Sequence, residues 1–145
     1  LIKTYGGVGF QKLFPALLVL PESNLKDTIV AAIISSVDPQ ELCSGLASLI
    51  DENDEHVSAA SLEIMRRYIS DATNDTVEYV ATIIGRCLSR AMESSHARVR
   101  KKTVLCFVEF KLKNENLAES HISLLTPQQQ KLIAIYYGKR CETAK

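Results

Sequence analysis

The chain has 145 residues, 46% of them hydrophobic, with 17 lysines and arginines against 17 aspartates and glutamates. That length supports one packed domain, and the apolar share with only 6 glycines and 4 prolines excludes a disordered polymer. Balanced charge argues against bulk electrostatic capture of nucleic acid, and no apolar run approaches the ~20 residues of a membrane-spanning helix.

The chain begins with Leu1 rather than methionine, which points to a piece of a longer protein; any targeting signal elsewhere in that parent is not visible in these residues. Gly6, Gly7 and Gly9 suggest a loose beginning. Phe10, Leu13, Phe14, Leu17 and Leu18 then predict a helix over 8–20, bent at Pro15 and closed by Pro21. Asn24 as N-cap with Asp27 at the third helical position predicts a second helix to about Val37, carrying Ile29, Val30, Ile33 and Ile34. Asp38-Pro39-Gln40-Glu41 is a strong start signal: an aspartate cap, proline in the first turn, and glutamate in capping-box position. The third helix presents Leu42, Leu46, Leu49 and Ile50 on one side.

Residues 51–55 form an acidic break, read as a solvated turn that is also able to neutralise Arg98 or Arg100 from an adjacent loop. A fourth helix carries Val57, Ala60, Ser61, Ile64, Met65 and Tyr68, and residues 70–75 turn the chain. A fifth, over 76–92, presents Val77, Val80, Ala81, Ile84, Leu88 and Ala91. Ser94 and Ser95 are the expected caps of a sixth helix over 96–113. Val99, Thr103, Cys106, Phe107 and Phe110 line one face of it; Val104, Leu105 and Val108 widen that face, so neighbours are expected on two sides. Its first turn holds Arg98, Arg100, Lys101 and Lys102, where the helix dipole disfavours positive charge. After Asn114 and Asn116 come a short helix over 117–124 and a last one opened by Thr126-Pro127-Gln128-Gln129 and ending near Gly138. No alternating strand pattern occurs.

The helix openings at Ile29, Val57 and Val99 resemble one another at intervals of roughly 30 and 40 residues, the range of helical-pair solenoids. A single pair cannot bury its apolar face, so pairs must stack. The expected fold is all-α: an α-α superhelix of the HEAT or TOG-like kind, with about three helix pairs and a C-terminal capping helix, the whole chain 1–145 being one domain.

Chemistry-bearing patterns are sparse. His56, His96 and His121 lack metal-ligand spacing, and the sequence has no phosphate-binding glycine loop and no nucleophile elbow. Cys43, Cys87, Cys106 and Cys141 have no C-x-x-C spacing; three of them sit on apolar helical faces and read as small buried hydrophobes, with a reducing, intracellular compartment expected. No catalytic residue, cofactor or metal ligand is assigned. The basic group Arg98, Arg100, Lys101 and Lys102, extended by Arg66 and Arg67, has three readings: internal salt bridges, an acidic protein partner, or phosphate binding. Without interleaved aromatics it does not resemble a single-stranded nucleic-acid platform.

The second half of the chain resembles the C-terminal domain of the cytoplasmic linker-associated protein (CLASP) family. Residues 99–108, V-R-K-K-T-V-L-C-F-V, are similar to that family's V-R-K-x-x-V-x-C-L-V helix. His121-Ile122-Ser123-Leu124-Leu125-Thr126 and Lys131-Leu132-Ile133-Ala134-Ile135-Tyr136 resemble its H-L-S-x-L-T and K-x-L-x-x-Y ending. Residues 36–43 are similar to an S-x-S-P-E-Q-C segment. The sequence departs from the pattern in the first helix and around 111–119, and Lys102 stands where the family has a small residue.

The resemblance implies a non-catalytic module that recruits a microtubule stabiliser to kinetochores, spindle or plus ends. Its implied partners are coiled-coil or helical adaptor proteins, with microtubules or tubulin reached indirectly through the rest of the parent, and its implied place is the cytoplasm and cytoskeleton. Nucleic acid and membrane are not implied. The alternative is a TOG-like domain binding tubulin directly. Such domains use an exposed tryptophan, and this chain has none.

Overall fold

The computed structural model describes residues 23–52 and 54–144. The helix expected over 8–20 lies outside them. Among the described residues every regular element is α-helical: α1 Asn24–Ser36, α2 Pro39–Asp51, α3 Glu55–Asp71, α4 Asn74–Ala91, α5 Ala97–Lys113, α6 Glu115–Ile122 and α7 Pro127–Ala144.

Short polar side chains set most of the boundaries by taking up the free N–H groups of the first turn. Asp38 accepts from the backbone of Gln40 and Glu41, Asp54 from Val57, Thr73 from Thr76 and Asn114 from Leu117. Thr126 and Gln129 form a reciprocal capping box, with N–H to side-chain oxygen distances of 3.2 and 3.0 Å. Three expectations shift. Ser23, not Asn24, caps α1. His96, not a serine, caps α5 and makes no side-chain bond there; Ser94 Oγ instead accepts the His96 N–H. The last helix passes through Gly138 to Ala144 because that exposed glycine sits in open space, and a helical glycine costs only about 1 kcal/mol.

Very short connections force neighbours to pack. α2 and α3 form an antiparallel pair, as do α4 and α5, and the pairs stack in two layers. One layer is α2, α4 and α6; the other is α3, α5 and α7, with α1 joining it beside α3. Helices within a layer run parallel. Tyr79 of α4 donates to Gln40 of α2 near their starts, and Arg90 meets Asp51 near their ends. In the other layer His96 faces Glu55, Lys102 faces Glu63, and the Lys113 ammonium reaches the Ser70 carbonyl. This is an α-α superhelix, and its helices are held by packing more than by propensity.

The repeat is visible in burial. Val57, Ser61, Leu62, Ile64 and Met65 of α3 correspond to Val99, Thr103, Val104, Cys106 and Phe107 of α5, all buried. The match of Ile29 to Val57 does not hold: Ile29 is 37% exposed, and Lys26, Val30 and Ile33 face the core instead. The run from Ile29 to Ile34 is apolar all round, so its periodicity selects no single face. α5 is the hub, touching α3, α4, α6 and α7, with Phe107 and Phe110 fully enclosed.

Candidate partner-binding surface

The basic residues expected to form one patch have different fates. Arg66 pairs with Glu63 in its own helix and approaches Glu109 of α5 at 4.0 Å. Arg67 pairs with Asp27 of α1 at 3.6 Å and with Glu63 at 3.8 Å, and Lys102 reaches Glu63 at 3.3 Å. Arg140 of α7 donates to Glu109 at 3.3 Å. The result is a ladder of alternating charge running across α1, α3, α5 and α7. Glu109 is its buried rung, its side chain only 8% exposed. Arg100 turns back to donate to the Ser94 carbonyl at 2.7 Å, which steadies the weakly capped start of α5.

Arg98 and Lys101 are what remains: both are exposed at the first turn of α5, with no carboxylate in ion-pair range among the described residues. The acidic break does not neutralise Arg98 or Arg100. Asp51 takes Arg90 at 3.1 Å and Glu55 faces His96 at 3.6 Å, because helices of one layer lie side by side in parallel. Ser58 pins this loop by donating to the Ile50 and Glu52 carbonyls.

Titration follows the same geometry. The hydrogen bond from Arg66 holds the Glu63 carboxyl below the ordinary carboxylate range, with the Arg66 and Lys102 charges assisting against partial burial. Burial, and then the charge of Arg86, push His121 below the ordinary histidine range. In both cases the unfolded chain takes up protons first as the solution is acidified, so the associated stability is complete above the unfolded pKa and drains away below it. The free energy of unfolding is therefore expected to fall in two stages. The first begins below about pH 6.5 through His121, and the second lies in the carboxylate range through Glu63. Urea titrations across pH 7 to 3 should show a flattened first stage in His121→Asn and a flattened second in Glu63→Gln; unchanged slopes in both would refute the assignment.

The three core cysteines are chemically quiet. Burial pushes the Cys43 and Cys87 thiols up to about 12, and raises that of Cys106 as well. Cys106 Sγ donates to the Leu62 carbonyl at 3.2 Å, tying α5 to α3. Cys141 is only half-buried. The native chain should therefore show one fast thiol toward an aromatic disulfide reagent, Cys141, and three that react only on unfolding. A second fast thiol would contradict the packing.

A feature that residue patterns missed lies on the opposite layer. Gly85 of α4 is buried against His121 of α6 so closely that an added Cβ would stand 2.2 Å from the imidazole. Phe110 backs the same ring, centroid to centroid 6.1 Å. Beside this contact is a groove of about 730 Å³, lined by Arg86, Arg90, His121, Leu124, Leu125 and Thr126 among others. The sequence signal was a lone glycine inside a strong helical pattern, which often marks close packing. Among the described residues no group of His, Cys, Asp or Glu is placed to hold a metal, and no helix is long and apolar enough to cross a membrane. No family model matches the chain.

Proposed function

We propose that this chain is a non-catalytic protein-interaction module of a CLASP-like microtubule stabiliser, recruiting it to kinetochores, spindle or plus ends through helical or coiled-coil adaptor proteins. The sequence resemblance over 99–108 and 121–136 supports that identity. The observation that carries a binding role is the residue of charge on the rim: the ladder neutralises Arg66, Arg67 and Lys102, while Arg98 and Lys101 stay open to solvent. Exposed cations without internal partners contribute little to stability and are free to steer an acidic partner.

The test is affinity capture of adaptor proteins with the chain, followed by crosslink mapping. Charge reversal as Arg98→Glu with Lys101→Glu should weaken the captured complex and lower its salt dependence while leaving thermal stability nearly unchanged. Capture of no adaptor overturns the module reading. Affinity that ignores both reversals displaces the partner from this rim. Cosedimentation with soluble tubulin decides the TOG-like alternative.

A further inference from the structure

The groove beside Gly85 exists because the layer of α2, α4 and α6 is incomplete. α4 has 18 residues and α6 only 8; α6 runs beside α4 as far as the Gly85–His121 contact and stops at Ile122, short of the end of α4. By the 1.5 Å rise of a helix, the stretch from Arg86 to Ala91 leaves roughly 9 Å of α4 without α6 beside it. The uncovered stretch carries Arg86, Ser89 and Arg90, with Glu93 just past the helix end, and Leu124, Leu125 and Thr126 of the turn before α7 line the same groove. The vacancy therefore continues the row that α6 begins.

We infer that this notch docks a short acidic, leucine-bearing helix of a partner protein, laid end-on to α6 so as to complete the layer. Three observations select that chemistry. Arg86 is exposed and has no carboxylate in ion-pair range among the described residues, whereas Arg90 beside it is held by Asp51 and Glu93 accepts from Gln129. Leu124 is 81% exposed on the groove wall, with half-buried Leu125 behind it. His121, turned toward its neutral form by burial and by Arg86, adds no competing positive charge at neutral pH. An aspartate or glutamate on Arg86 and a leucine or isoleucine against Leu124, one helical turn apart on a single face, satisfy both walls at once. The inference rests on the reading of the chain as an interaction module but names a different surface from the Arg98 and Lys101 rim.

The probe is a display library of two-turn stapled helices randomised along one face, selected on the whole folded chain. Enriched helices should pair Asp or Glu with Leu or Ile at a spacing of three or four. Their affinity should drop about tenfold with Arg86→Glu, the loss of one charge-assisted bond, and comparably with Leu124→Asp. Lys101→Glu should leave it unchanged. Both groove residues are exposed, so melting temperatures should hold; if Arg86→Glu lowers the melting temperature, Arg86→Gln serves in its place. No enrichment over a heat-unfolded control, enrichment of basic or uncharged helices, or affinity indifferent to Arg86 each overturns the proposal. An adaptor that crosslinks to the Arg98 rim and binds Arg86→Glu normally removes the groove while leaving the module reading standing.

Discussion

Gly85→Ala is expected to destabilise the fold by about 1–3 kcal/mol, the usual cost of forcing a methyl group into a packed contact. The added carbon would stand 2.2 Å from the His121 ring, which must shift out of its contact with α4 and from its place 6.1 Å from the Phe110 ring to make room. The same substitution at Gly138, where nothing lies within 4 Å, should instead stabilise by up to about 1 kcal/mol through helix propensity alone. Urea midpoints of the two variants are thus expected to move in opposite directions. Coupling supplies a stricter check: in a Gly85→Ala background, His121→Ala should cost far less than it does in the parent, since it clears the clash. Additive losses would mean that ring and helix backbone do not oppose each other.

Arg66→Met combined with Arg140→Met should cost on the order of 3 kcal/mol, because it leaves the largely buried Glu109 carboxylate without a counter-ion. Either change alone leaves one guanidinium in place and should cost much less. Both arginines are partly exposed, so their own desolvation contributes little; most of the penalty belongs to the Glu109 carboxylate, whose side chain is 8% exposed, and a smaller share to the lost Arg66–Glu63 pair, since Lys102 and Arg67 still face Glu63. Adding Glu109→Met to the double variant should recover most of the loss, since an apolar side chain of similar volume fills the site without a charge to solvate. Failure of that rescue, measured by chemical denaturation, would show that the ladder matters for geometry rather than for neutralisation.

The two results bear on different parts of the molecule but share a cause. Each concerns a contact between helices far apart in sequence, and neither partner announces the other along the chain. Gly85 lies in a helix whose remaining positions read plainly as one apolar stripe. Glu109 sits among Phe107, Val108 and Phe110, where a lone carboxylate in an apolar run is the one hint that cations converge on it from α3 and α7. Arg66 and Arg67 looked like an extension of a basic patch because their neutralising carboxylates, Glu63 and Asp27, are brought near only by helix periodicity and by stacking.

Helix existence and most boundaries were already written in the residues, because both depend on interactions within a few positions: apolar spacing at three and four, and a short oxygen side chain placed to accept the first free N–H groups. The α3–α5 repeat was equally legible, since equivalent helices bury equivalent positions. Tertiary structure alone decided the face that α1 turns inward, the continuation of α7 past Gly138, the division of the cations into a neutralised ladder and an open pair, and the groove left by the shortness of α6. Those outcomes depend on where one helix lies against another, a distance set by stacking rather than by any local pattern.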